Sequence, residues 1–151
     1  MKYTSEILIH IPLRDFIKKL NNPELLKFWQ RGFEGYDYIS GTPGDIGAKM
    51  KLNYILGKQH IELIETVTHK KLPYEFHVMY DTNNMQNIQE NYFEETDKGF
   101  TKWHAHFEFF PSSFKLRMML ILMPSTFKKQ TKQYMQDFKN FAEKGTSVTD
   151  A

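Results

Sequence analysis

Residues Ser112–Lys144 read SSFKLRMMLILMPSTFKKQTKQYMQDFKNFAEK. In the second half, Phe127, Tyr134, Met135, Phe138, Phe141 and Ala142 recur with Thr131 along one helical face. Lys128, Lys129, Lys132, Gln133, Gln136, Lys139 and Asn140 fall mostly on the other. Ser125 is placed to cap this helix and Gly145 to stop it. Roughly 20 residues at about 1.5 Å each make a rod of about 30 Å, enough to cross a small domain. The first half, Phe114 to Met123, is apolar almost all round. It is shorter than the roughly 20 residues a bilayer span needs, so it reads as a buried helix, and its flexible Met118, Met119 and Met123 suit an adaptable pocket wall. Pro124 lacks the N–H for a bond to residue 120 and crowds that carbonyl, which predicts a bend or break between the halves.

What precedes this region reads mainly as strands. Tyr3, Ser5, Ile7, Ile9 and Ile11 alternate with Thr4, Glu6, Leu8 and His10, and Pro12 ends the run. Leu13, Phe16, Ile17 and Leu20 then recur at helical spacing. A second short helix opens at Pro23, with Leu25, Leu26, Phe28 and Trp29 on its buried side. From Phe33 to Pro111 the pattern gives six more strands, including Leu72 to Asp81 with Tyr74, Phe76, Val78 and Tyr80 on one side, and one from about Gln86 to Thr96. The last strand is the most regular, with Thr101, Trp103, Ala105, Phe107 and Phe109 facing Lys102, His104, His106 and Glu108 across the sheet plane. Consecutive strands on tight connections make an antiparallel meander with one apolar and one wet face. The expected fold is therefore α+β: a seven-stranded antiparallel sheet curved around a long C-terminal helix, with two short helices after the first strand.

Composition narrows the function classes. A chain of 151 residues with 40% hydrophobic and 15% aromatic content suits one domain with one core. A net charge of +2, from 20 basic and 18 acidic residues, is too balanced to argue for nucleic acid or an anionic membrane, and no nucleic-acid partner is expected. Cysteine is absent, which removes disulfides, thiolate chemistry and zinc–thiolate sites. The opening MKYTSEILIHIP alternates and reads as a strand rather than a signal peptide, so a cytoplasmic protein without stable membrane insertion is expected. Residues 1–145 are read as the domain and 146–151 as a flexible tail.

Order and register together resemble the START/Bet v 1-like superfamily, also called the SRPBCC or polyketide cyclase-like group. The residues that carry the likeness are FWQRGFEGY (Phe28 to Tyr36), GTPGDIGAK (Gly41 to Lys49), IELIETV (Ile61 to Val67), LPYEF (Leu72 to Phe76) and LMPSTFKKQTKQYMQDFKNFAEK (Leu122 to Lys144). They look like those of a bacterial subgroup, and the likeness covers nearly the whole chain. It implies a helix-grip fold whose cavity, between sheet and long helix, takes an apolar or amphipathic small molecule such as a lipid or a polyketide-like aromatic. Activities in the superfamily range from lipid transfer and hormone sensing to cyclase chemistry and chaperone stimulation, so fold alone does not settle function.

Three features invite chemistry. GTPGDIG lacks both the GxxxxGK[ST] and GxGxxG spacings and precedes a strand, so it reads as a hairpin loop rather than a phosphate cradle. His104 and His106 share a strand face, but it is the charged, solvated one, and no metal or cofactor is expected there. Glu65 keeps register with Ile61, Leu63 and Val67 and should point inward, where a carboxylate needs partners or a proton. Glu90 shares register with Ile88 and Tyr92 and should do the same, with Tyr54, Tyr80 and Tyr92 as hydroxyl partners. His77 should lie outside. Glu65 is then a structural hydrogen-bonding group or is turned outward by a strand bulge, or it is a polar anchor for a ligand, or the acid/base of a cyclase- or hydrolase-type enzyme. The expected pocket walls are Leu63, Glu65, Phe76, Val78, Tyr92, Trp103, Ala105 and Phe107 from the sheet, and Met119, Met123, Phe127, Tyr134 and Phe138 from the helical lid.

Overall fold

The structure, a computed structural model, describes residues 1–149. Strand β1 (Lys2–Ile9) leads into α1 (Leu13–Leu20), a 3-10 turn (Pro23–Leu25) and α2 (Leu26–Trp29). Six strands follow: β2 (Phe33–Ser40), β3 (Lys49–Leu56), β4 (Gln59–Lys71), β5 (Glu75–Asp81), β6 (Met85–Glu95) and β7 (Thr101–Pro111). Helices α3 (Phe114–Leu122) and α4 (Pro124–Lys144) complete the chain. The sheet is seven-stranded in the order β1-β7-β6-β5-β4-β3-β2, and every pairing is antiparallel. This is the helix-grip arrangement.

Alternation along the strands sets the layers. Ile9, Leu52, Val67, Val78, Phe93, Trp103, Ala105 and Phe107 are all buried. Over them, α4 lays Met135, Phe138 and Ala142, and the helices after β1 add Leu13, Phe16, Leu26 and Trp29. Ion pairs such as Lys2–Glu108 and Lys102–Glu6 lie on the other face of the sheet. The helix after β1 follows from its apolar spacing, and Asn22 caps the 3-10 turn by accepting the Glu24 N–H.

The region 112–144 differs from the sequence reading in two respects. The break falls where Pro124 predicts it: α3 ends at Leu122, Met123 leaves helical geometry at φ −132° and ψ 51°, and α4 begins at Pro124. However, Ser125 is not the cap. Pro124 itself opens α4, where its missing N–H costs nothing. Ser113 caps α3 instead, accepting the Leu116 N–H at 3.2 Å. The larger correction concerns α3, which is not buried. Phe114 is 77% exposed, Ile121 71% and Leu122 71%; Leu120 is its one buried residue. A helix apolar on nearly every side carries little period to say which side is inward, and here its main contacts are with β7 and α4.

Strand β5 starts at Glu75 rather than Leu72, because residues 71–74 form a turn closed by Tyr74 N–H to the Lys71 carbonyl at 2.9 Å. Tyr74 is consequently exposed and not aligned with Phe76. At the C-terminus, Val148 N–H donates to the Phe28 carbonyl at 2.8 Å. Asp150 and Ala151 of the expected tail lie outside the described residues.

Candidate functional site

Two cavities lie between the inner face of the sheet and its helical cover. The first, about 380 Å³, lies among β3, β4 and β5, the turn around Pro23 and the Gly41–Gly47 loop. Leu26, Met50, Leu52, Val67, Phe76 and Val78 give it an apolar lining. The second, about 630 Å³, lies under the first turns of α4, between Tyr3, Phe107, Phe109, Leu63, Phe127 and Thr131. Both fall within the roughly 300–1,000 Å³ typical of small-molecule sites. Trp29, Gln30, Tyr80, Gln89 and Tyr134 line both cavities and so form their common wall.

That wall is polar although it is deep in the protein. Tyr54 Oη donates to Gln30 Oε1 at 2.6 Å, and the Tyr134 hydroxyl hydrogen-bonds the same Gln30. Glu65 hydrogen-bonds Tyr80. On β6, Gln89 Nε2 donates to Asn91 Oδ1 at 3.0 Å, and Trp103 Nε1 donates to the same oxygen at 2.9 Å. Among the described residues, two buried polar side-chain atoms find no partner, Trp29 Nε1 and Asn87 Oδ1. Trp29 lines both cavities and Asn87 the second. An unpaired buried donor or acceptor costs about 1–3 kcal/mol, so native proteins rarely leave one without a use.

Glu65 retains accessible surface because it lines the first cavity, yet it is packed deep among protein atoms. Burial raises its carboxyl above the ordinary value of 4.5, and the Tyr80 hydrogen bond only partly opposes this. Burial, with the Glu65 charge adding to it, also raises the Tyr54, Tyr80 and Tyr134 hydroxyls. A consequence for stability follows. Because the folded value lies above the unfolded one, the folded chain holds a proton that the unfolded chain releases. Stability from this group is complete below pH 4.5 and is lost as pH rises through the raised value. Glu65→Gln should remove that decline, so that its urea-unfolding free energy, compared with the unmodified protein from pH 4 to 8, shows the flatter profile. Parallel profiles would mean that Glu65 titrates as an exposed carboxylate does.

The expected walls separate into two groups. Glu65, Phe76, Val78, Trp103 and Tyr134 line the first cavity, and Leu63, Phe107, Phe127 and Tyr134 the second. Tyr92, Ala105, Met119, Met123 and Phe138 line neither. Tyr92 is on the outer face, its ring 4.9 Å from that of His77 and 5.5 Å from that of His106. The inner face of β6 is instead Asn87, Gln89, Asn91 and Phe93. Glu90 accordingly faces outward beside His77 and Tyr92. Met119 and Met123 go with the exposed α3. Ala105 and Phe138 are both 0% exposed and belong to the packed core. The small side chain of Ala105 therefore leaves no room for a ligand; the core cluster closes over it. Ala105→Trp should cost about 1–3 kcal/mol in urea unfolding by overpacking; unchanged stability would reveal a void there.

Sequence reading missed the amides Gln30, Asn87, Gln89 and Asn91. Their only signal was that β6 alternates with Phe93 in phase, which the more apolar Ile88 and Tyr92 outweighed. Gly41–Gly47 does form a loop between β2 and β3, and its Pro43 and Gly44 line the first cavity. Gly41 has φ +78°, and a Cβ there would come within 2.9 Å of Ala48 Cα, so only glycine fits.

The outer face holds His69, His77, His104 and His106. His104 Nδ1 is 3.2 Å from Glu6 Oε2, and the His106 ring meets Tyr92 edge-on. A different trio, His69, Glu75 and His77, brings one donor atom each to within 4.8 Å of the others. Asn91 N–H donates to His77 Nδ1 at 3.1 Å, which leaves the proton of the neutral ring on Nε2. Burial lowers the His77 pKa, with the Glu90 charge opposing. Its Nε2, 3.8 Å from Glu75 Oε1, is then an N–H facing a carboxylate and offers no lone pair to a cation.

Comparison with solved structures supports this fold assignment. Ara h 8.0201 matches with a TM-score of 0.71 at 10% identity, over 94% of this chain and 97% of its own. A conserved protein from Geobacillus kaustophilus matches with a TM-score of 0.78 at 13% identity, over 94% and 95%. A protein from Thermus thermophilus matches with a TM-score of 0.76 at 8% identity, over 97% and 100%. No protein-family model matches the chain, and neither does any curated protein. The chain has the Bet v 1-like helix-grip fold.

Proposed function

We propose that the protein binds an amphipathic small molecule, with apolar parts in the two cavities and a hydrogen-bonding group at their common wall. The observation that carries this reading is the wall itself: Gln30, Tyr80, Gln89 and Tyr134 between two apolar chambers, with Glu65 hydrogen-bonded to Tyr80. A core built only for stability gains little from such groups, since burying them costs free energy even when they are paired. A ligand gains orientation from them. Glu65, whose carboxyl is pushed up by burial, suits a neutral polar group such as a hydroxyl, carbonyl or ether better than an anion. Asn87 Oδ1 suits a hydroxyl or amide donor, and Trp29 Nε1 a further acceptor.

The side chain hydrogen-bonded to Glu65 is a tyrosine, and binding accounts for the site without a reaction. The test is native mass spectrometry of the purified protein, followed by solvent extraction and analysis of what is released. A retained molecule with an apolar body and one or two neutral polar groups is expected. Absence of any retained molecule, with no thermal shift across a library of lipids and aromatics, would overturn the reading. Turnover of a bound compound that Glu65→Gln abolishes would replace it with an enzyme of the cyclase or hydrolase kind.

A further inference from the structure

The surface of α3 is at odds with its sequence. Phe114, Met118, Ile121 and Leu122 recur at i, i+4, i+7 and i+8, which makes them one stripe at 3.6 residues per turn. Leu120 points the opposite way and is buried, so the stripe faces away from the protein. Three of its four members are exposed, and Met123 at the break adds a fourth exposed apolar side chain. Arg117 lies one turn before Ile121 and Lys115 two turns before Leu122, so a basic side chain borders the stripe on each side. A helix apolar all round needs an apolar neighbour on both sides. The fold supplies one, and the other must come from outside.

Charge identifies it. Residues 109–136 contain no Asp or Glu. Lys115, Arg117, Lys128, Lys129 and Lys132 are all exposed, and none of these five makes an ion pair among the described residues. The first three turns of α4 thus extend the basic border beyond α3. We propose that α3 and the start of α4 form a docking surface for an anionic lipid bilayer, with the apolar stripe entering the headgroup boundary and the basic side chains pairing with lipid phosphates. A second copy of the chain fits poorly. A two-fold contact through α3 would bring one basic border close to the other with no acidic group to meet it. No helix among the described residues is long and apolar enough to cross a membrane, so the contact is peripheral. Phe127, Gln130 and Thr131, which line the second cavity, are on the same early turns of α4. The docking surface thus adjoins the larger cavity, although the proposal does not depend on what that cavity binds.

Co-sedimentation with vesicles tests it, using pure phosphatidylcholine and an equal mixture of phosphatidylcholine and phosphatidylglycerol. The protein should bind the anionic vesicles at least about tenfold better than the neutral ones, and high salt should weaken the binding. The double variant Ile121→Ser/Leu122→Ser and, separately, Lys128→Glu/Lys129→Glu should each lose about tenfold or more. Both pairs are exposed, so melting temperature should not move, and either variant suffices if the other misfolds. Absence of vesicle binding, equal binding to both compositions, or binding that neither variant weakens would overturn the proposal. So would a dimer that Ile121→Ser/Leu122→Ser dissolves while vesicles go unbound, which would assign the stripe to a second copy. Binding to polyglutamate with none to anionic vesicles would assign it to an acidic protein.

Discussion

Phe138→Ala is expected to lower the unfolding free energy by about 3–5 kcal/mol, the range for removing a large aromatic from a closed core. Phe138 is 0% exposed. Its ring centroid lies 5.3 Å from that of Phe16, 5.0 Å from Trp29 and 5.6 Å from Trp103, all close to edge-to-face. It packs at once against three pieces: the helix after β1, the short helix before β2, and the last strand, the first and last of which also meet through Phe16 and Trp103. Aromatic pairs add about 0.5–1.5 kcal/mol each beyond area burial, so the loss should fall in the upper part of that range. In a domain of this size each 1 kcal/mol is worth about 2–4 °C, so melting should fall by roughly 10 °C or more. Urea unfolding with an unchanged m-value would show that the native state, not the denatured one, has changed. A loss below about 1 kcal/mol would mean that Phe138 faces a cavity, as its helical phase suggests when sequence alone is read.

Phe138 also illustrates how far the sequence could be read. Its phase identifies it correctly as inward-facing on the C-terminal helix. Phase does not distinguish a side chain that packs from one that lines a space, and the same ambiguity displaced Ala105. The strands, their order and the break at Pro124 were legible because each rests on a local rule: alternation, tight turns, a missing N–H. Glu65 was legible because a carboxylate in an apolar register stands out. The inner face of β6 was not, for the converse reason. Where a cavity wall is built of amides, the apolar residues of the strand lie outside, and a hydrophobicity rule selects the wrong face. Tyr92 was misplaced on that account. Met119 and Met123 were misplaced because α3 is apolar in every direction, and its outward stripe is visible only once the contacts of Leu120 are known.

The two cavities allow the proposed site to be mapped by filling each in turn. Leu63 lines the larger and Met50 the smaller, and neither is fully buried, so a bigger side chain at either position grows into open volume. Leu63→Trp and Met50→Trp should therefore leave urea stability within about 1 kcal/mol, where the same enlargement in a closed core costs about 1–3 kcal/mol. A molecule occupying the filled cavity meets that overpacking cost itself, and about 1–3 kcal/mol converts to a loss of affinity of roughly 5- to 150-fold. If the ligand spans the common wall, both variants should lose retention of the extracted molecule. If it occupies one chamber, only one variant should, and the other becomes the control for general damage. Glu65→Gln then separates shape from chemistry. It keeps the volume and removes the acid, so a ligand held by a neutral acceptor should weaken by less than about tenfold, because the amide N–H₂ still donates. Retention unaffected by Leu63→Trp and by Met50→Trp, in proteins that unfold normally, would exclude both cavities as the site. Retention lost only with a fall in stability would show that the enlarged side chains had met packed core rather than open space.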